Sequence, residues 1–459
     1  MPAAALTSLF VRAPNEALGA ARRSKPLVHV HHVLWCNRIM KNDPLLYSFQ
    51  ELAHRSAEPL VAAARAGAAL WGSALNPLAS TPLGRAMHAA ADSTTHLFRR
   101  YGKPSWGVDG ITVDGRQLPV LQTSAWRSPW CDLALFSATR PAGSLPVPKV
   151  LVVAPLSGHH ATLLRGTVRT LLRDHDVYVT DWTNAREVPL TTGTFDFHDY
   201  IDLVRTMLQQ VGDRPHVLAV CQPGPCVLAA AALMAEDGDP ARPATMTFMG
   251  SPLDARRSPT VTNKLAEGQP FSWFERNMIQ VVPPPYPGAG RRVYPGFVQL
   301  ASFMMLNVDK HLDAHWRYFQ SLVASDGDAA AKHREFYDEY LAVLDLTEEF
   351  YLQTVDIVFQ RYLLARGELV HRGRIVRPEC ITDIGLHTVE GAEDDISGIG
   401  QTQAAHTMCS ALPDPLRAHH VQPHVGHYGI FNGQRFETEI YPRVRDFIAA
   451  LDGSRSQGR

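Results

Sequence analysis

The chain has 459 residues, 45% of them hydrophobic and 19% charged, enough to bury a large core in one domain with insertions or in two. Its 44 Lys and Arg against 45 Asp and Glu leave a formal net charge of -1, which withholds the basic excess that nucleic acid or an anionic membrane would attract. Six cysteines, at 36, 131, 221, 226, 380 and 409, form no C-x-x-C pair and suit a reducing compartment. The opening Met1-Pro2-Ala3-Ala4-Ala5-Leu6 lacks the basic and apolar regions of a secretory signal, and no stretch approaches the ~20 apolar residues of a membrane span, so a cytoplasmic protein is expected.

Residues 1–39 mix Pro, Arg, His and Ala without period and read as a disordered extension, with Met40 as an alternative start. Its His29-Val30-His31-His32 run has no Cys or carboxylate at metal-ligand spacing. Over 40–104 the pattern is helical: Leu52, Leu60, Ala63, Ala64, Leu70, Trp71, Leu75, Leu83, Met87 and Leu97 recur in a three-to-four spacing that Pro59, Pro77 and Pro82 cut into pieces. This N-terminal helical layer shows no chemistry.

Residues 105–254 begin the core. Gly107-Val108-Asp109-Gly110 and Asp114-Gly115 are hairpin signals. Strands over Val150–Ala154, Val177–Asp181 and Thr245–Met249 alternate with helices over Leu163–Leu172 and Asp199–Val211. Such alternation predicts an α/β fold with a mostly parallel central sheet, right-handed crossovers, and reactive residues at the carboxyl ends of the strands. From 255 to 377 it stops, and aromatics at helical spacing around Pro283-Pro284-Pro285-Tyr286-Pro287 predict an inserted helical cap, most of whose rings form its own core while some line an apolar groove. The core resumes over 378–452, with strands at Cys380–Val389 and Arg417–Gln422 and a helix at Ile440–Leu451; 453–459 is a tail.

The stretch from Pro215 to Ala230 reads as strand, sharp turn and helix, with Cys221 at the turn. Its frame, Ala219-x-Cys221-x-Pro223-Gly224, relaxes the G-x-S-x-G nucleophile elbow of α/β-hydrolases and puts cysteine where serine is usual. A thiol there sits at a helix N-terminus, which favours thiolate; a buried structural cysteine is the alternative. In the elbow's chain order of nucleophile, acid and histidine, a carboxylate of the Glu390–Ser397 stretch follows a late strand, and His427 stands between Gly426 and Gly429 after the last one. Together these suggest a Cys-His-Asp triad, with Asp395 and His424 as rivals for acid and base. Cys226 falls inside the helix and reads as packing. Ser157 and Ser251 follow strands outside any G-x-S-x-G frame and read as turn residues.

Four blocks in the same order carry a family resemblance: Cys221 within Ala-Val-Cys-Gln-Pro-Gly, the run from Tyr340 to Thr354, the run from Val389 to Gly398, and Gly426-His427-Tyr428-Gly429-Ile430-Phe431. From about Leu45 to near its C-terminus the chain resembles the intracellular polyhydroxyalkanoate (polyhydroxybutyrate) depolymerases; residues 1–39 lie outside the likeness. The resemblance implies an α/β-hydrolase acting on stored polyester in the bacterial cytoplasm and at the granule surface, with Cys221 as nucleophile, Asp394 as acid and His427 as base. Ala219 and Pro223 depart from the Gly-x-Cys-x-Gly form of the related polyester synthases, which favours degradation over synthesis. The backbone N–H of Gln222 and one from the Leu156-Ser157 turn are the nominated oxyanion donors. No metal or organic cofactor is expected, though coenzyme A is an alternative acyl acceptor. A coenzyme A-dependent synthase or acyltransferase and a non-catalytic granule-coating protein are the competing classes.

Overall fold

In the structure, a computed structural model, residues 45–306 and 308–452 are described. The expected extension over 1–39, its His29–His32 run, Cys36, the Met40 start and the tail over 453–459 lie outside the described residues.

Asp114 and Gly115 take the left-handed conformation that a two-residue hairpin turn needs, with φ of +48° and +75°, and join β1 (Gly110–Val113) to β2 (Arg116–Arg127). The other expected turn, over 107–110, closes no hairpin and only leads the chain into β1. After β3 (Cys131–Ala138) come β4 (Lys149–Val153), β5 (Asp176–Trp182), β6 (His216–Val220), β7 (Thr245–Met249), β8 (Gly385–Gly391) and β9 (Arg417–Gln422). They form one nine-stranded sheet in the order β1-β2-β3-β5-β4-β6-β7-β8-β9. From β5 to β9 every neighbouring pair is parallel, and only the β1–β2–β3–β5 edge is antiparallel.

The central parallel strands β6, β7 and β8 are buried along their whole length, as strands covered on both faces are, while the edge strand β9 is only partly buried. Helices α3 (Arg165–Leu171), α4 (Phe197–Val211) and α5 (Gly224–Glu236) cross between them. Asp196 starts α4 through a reciprocal capping box with Asp199, which satisfies two backbone donors the first turn would leave open. In α5 every residue from Gly224 to Met234 is buried, so this helix is apolar all round. Strand β4 lies between β5 and β6, so the chain leaves it to one side and returns on the other. That reversal opens a crevice between the carboxyl ends of β4 and β6, the ligand position in open parallel sheets.

Two helices precede the sheet, α1 (Leu46–Gly72) and α2 (Pro82–Phe98), the second capped by the Thr81 side chain, which accepts from the Gly84 N–H. Pro59 does not interrupt α1: it lies inside the helix on an exposed position, where the lost hydrogen bond involves solvent-facing backbone. Between β7 and β8 lie α6 (Val261–Gly268), α7 (Phe271–Met278), α8 (Gly296–Leu306), α9 (Val308–Ala324), α10 (Gly327–Tyr340) and α11 (Glu348–Thr354), with a small three-stranded antiparallel sheet made by residues 280–281, 292–294 and 346–347. Asp345 ties these parts together. Its carboxylate accepts from the Tyr47 hydroxyl of α1 at 2.6 Å and from the Gly296 N–H at the start of α8 at 2.8 Å, while its backbone bonds Asn184 and Ala185 after β5. The final helix, α12 (Tyr441–Leu451), packs back on the sheet through buried Tyr441, Val444 and Ile448.

Candidate active site

Cys221 stands one residue past β6 with φ at +66°, a region that costs any side chain with a Cβ and that is held here by its surroundings. Its N–H donates to the Met249 carbonyl of β7 at 2.8 Å, and its carbonyl accepts from the Gly224 N–H at 3.2 Å. The turn is tight enough that a Cβ at Gly224 would fall 2.4 Å from that of Ser251, so only glycine can begin α5 at this depth. Cys221 is partly exposed. Cys226, in the first turn of the helix, is fully buried, and burial drives its thiol well above the usual range. Ser251 is buried as a turn residue, its backbone held by the Thr402 hydroxyl on both sides.

Strand β8 delivers Asp394 and β9 delivers His427. His427 Nδ1 lies 2.8 Å from Asp394 Oδ2, with both side chains buried. The other Asp394 oxygen accepts from the Ile396 and Ser397 N–H groups, each at 2.8 Å, which fixes the carboxylate against rotation. The loop carrying it is braced behind: Glu390 accepts from the N–H groups of Gly400, Thr402 and Gln403. Cys221 is the other group near enough to act on the imidazole. Burial works against an imidazolium here, but the Cys221 sulfur and the Asp394 carboxylate outweigh it and hold the imidazole well above its usual pKa. The structure thus brings Cys221, His427 and Asp394 together. It leaves the rivals outside, for Asp395 is exposed and His424, with 75% of its side chain in solvent, faces Glu393 at 3.5 Å.

Among the nominated oxyanion donors, Gln222 lies directly after Cys221, and Leu156 and Ser157 follow β4 across the crevice. The Leu156 N–H is engaged: it donates to the Gln222 side-chain oxygen at 3.2 Å. The amide nitrogen of the same side chain is buried without a partner. Three other residues at the site lay outside the sequence reading of roles. Gly250, at φ +57°, makes room for the imidazole, since a Cβ there would meet His427 Cε1 at 3.1 Å. Tyr428 is raised well above the usual phenol range by burial, then by Tyr340 and by Cys221 beside it. Tyr340, which acts on Tyr428, is itself pushed up to about 12 by burial and then by Tyr337 and Asp395. The position of Gly250 at a strand end was the available signal; nothing in sequence foretells the Gln222–Leu156 contact. Among the described residues no group of three or more His, Cys, Asp or Glu side chains could hold a metal ion.

The strand order, the strained turn after β6 and the placement of acid and histidine after β8 and β9 define an α/β-hydrolase. Residues 250–452, somewhat under half of the chain, match the family described as PHB de-polymerase C-terminus, and this match together with the fold supports a PHB depolymerase-like α/β-hydrolase that acts on ester bonds. No curated protein matches it in sequence. Among solved structures it is similar to a monoacylglycerol lipase of Paleococcus ferrophilus (12% identity, 67% of this chain and 97% of that one, TM-score 0.37). It is also similar to a 2-hydroxy-6-oxo-6-phenylhexa-2,4-dienoate hydrolase of a Rhodococcus (10%, 72% and 99%, 0.39) and to an α/β-hydrolase fold protein of Nakamurella multipartita (14%, 72% and 99%, 0.36). These likenesses are loose in both sequence and superposition. No helix among the described residues is long and apolar enough to cross a membrane.

Proposed function

We propose that the chain hydrolyses stored poly(3-hydroxybutyrate) or a related polyhydroxyalkanoate in the cytoplasm, at the granule surface, through a thioester on Cys221. The observation that carries this reading is the buried Asp394–His427 pair set against a thiol at a strained strand-to-helix turn. The match of residues 250–452 supports the polymer as substrate.

His427 takes the Cys221 proton, and the sulfur attacks an ester carbonyl of the chain. The C–S bond forms while the carbonyl electrons move onto oxygen, which the backbone N–H of Gln222 and a donor of the Leu156-Ser157 turn receive. One such donor is worth ~3 kcal/mol of transition-state stabilisation. Collapse breaks the C–O bond, and the leaving alkoxide takes the proton from His427. A water molecule, deprotonated by the now neutral imidazole, attacks the thioester and releases the acid and the thiol. Asp394 orients the imidazole and stabilises its charged form throughout. Nothing in this sequence of steps calls on a metal or organic cofactor.

The test is release of soluble 3-hydroxybutyrate units from amorphous polymer particles by the intact protein and by Cys221→Ala, each with and without coenzyme A. Release that needs Cys221 and not coenzyme A is expected. A requirement for coenzyme A would make the acceptor a thiol instead of water, and equal release by Cys221→Ala would sink the thioester.

A further inference from the structure

The periodic apolar positions of α1 and α2 face solvent. On α1, Leu45, Phe49, Leu52, Leu60, Ala63 and Leu70 are all exposed and succeed one another at steps that keep to one side of a helix, a stripe about 37 Å long at 1.5 Å per residue. The helix's inward side is marked by buried Tyr47, Glu51 and Val61. Its exposed charges lie off the stripe, Arg55 to one flank and Glu58 and Arg65 on the opposite side of the helix, the side that carries Tyr47, Glu51 and Val61. Helix α2 repeats the pattern with exposed Leu83, Met87, Ala90 and Leu97. At the tip between the helices, residues 66–84 carry no charged side chain, and there Leu70 is 62%, Leu75 94% and Leu78 49% exposed. A surface helix ordinarily turns charge outward, and an apolar face left in water marks a contact.

We propose that the α1–α2 hairpin is the surface by which the enzyme adsorbs onto solid polyester; this rests on the polyester reading of the site and assigns that substrate a second point of contact. Charge decides among occupants. A helix that lies on an anionic membrane carries a Lys- and Arg-rich polar face. Here Arg55 and Arg65 are set against Glu58, Arg85 of α2 against Asp92, and the tip is bare of charge. An aliphatic polyester offers a neutral, apolar surface without fixed shape, which suits a contact made of exposed leucines and no directional groups.

The experiment uses the full chain with Cys221→Ala, so that the polymer survives, and measures co-sedimentation with amorphous poly(3-hydroxybutyrate) particles. Adding Leu70→Glu, Leu75→Glu and Leu78→Glu should weaken binding at least tenfold. The same three changes with Cys221 intact should leave p-nitrophenyl butyrate hydrolysis within twofold. A milder Leu75→Ser/Leu78→Ser variant with an unchanged melting temperature should show an intermediate loss, which separates adsorption from misfolding. Binding undiminished in both variants would overturn the proposal. So would parental binding to anionic vesicles in preference to particles, or a solution dimer that the substitutions split into monomers. A parent that adsorbs while its Cys221-intact form cleaves no ester would sink the catalytic reading and leave this one standing; ester cleavage without adsorption would do the reverse.

Discussion

The side-chain oxygen of Gln222 accepts the Leu156 N–H at 3.2 Å, so the residue that follows Cys221 covers a backbone donor on the opposite wall of the crevice. A carboxamide oxygen there occupies the place an ester oxygen needs. Substrate must displace it, at about the net worth of one hydrogen bond, ~1 kcal/mol. Gln222→Ala should therefore lower KM for a small soluble ester about fivefold with kcat within twofold, read from steady-state kinetics. A large fall in kcat at unchanged KM would show instead that the carboxamide holds the Leu156 turn in position.

Asp394→Asn should cost roughly a thousandfold in kcat, because the imidazole loses the partner that fixes its tautomer and supports its charge. It should also change how stability depends on pH. His427 is raised in the folded state by Cys221 and Asp394 against the pull of burial, so its protonation stabilises the fold fully below about pH 6.5. That contribution disappears as pH rises through the raised folded value. Thermal melts should accordingly show a larger penalty for Asp394→Asn at pH 6 than at pH 9, and an equal penalty at both would contradict the pairing.

Gly250→Ala places a methyl 3.1 Å from the His427 ring on a backbone already at φ +57°. The conformation alone costs ~1 kcal/mol. Gly143→Ala, at φ +85° with nothing within 4 Å, isolates that part. Both variants should lose stability in denaturant titrations, with Gly250→Ala losing more and also losing at least tenfold in ester turnover as the imidazole is pushed aside. Turnover equal in the two variants would count against the steric role of Gly250.

In a Cys36→Ser background, brief treatment with dilute iodoacetamide should label Cys221 first and abolish ester cleavage in step. Cys131, Cys226 and Cys409 are buried, and burial raises their thiols, Cys409 to about 12. Peptide mapping that found Cys380 modified at the same rate as Cys221 would remove the case for an activated thiol.

The parts of the fold that sequence made legible are those whose pattern is local. Strand β9 runs over Arg417–Gln422 as its residues suggest, and the Ala219–Gly224 frame bends where its small residues allow. The order of cysteine, carboxylate and histidine foretold which strand ends would meet. Three things were hidden. The Leu52, Leu60 and Leu70 spacing looks like a core stripe, yet periodicity states only that residues share a side, not which side is wet. Asp394 and Asp395 are adjacent and chemically alike, and only the turn that aims one at His427 and the other at water tells them apart. The Gln222–Leu156 contact spans 66 residues and exists because β4 and β6 are neighbours in the sheet.

Tyr47 in α1 bonds Asp345, and the adjoining Leu344 N–H bonds the Gly158 carbonyl at 2.7 Å, two residues beyond Leu156. Two hydrogen bonds and one stretch of backbone thus span from the apolar hairpin to the wall of the reaction crevice. An enzyme fastened to a solid by a loose tether would sweep an area around its anchor. A chain that lands on polymer by this hairpin would instead hold Cys221 at a single standoff from the surface, and would have to cut what lies at that distance or lift off and land again.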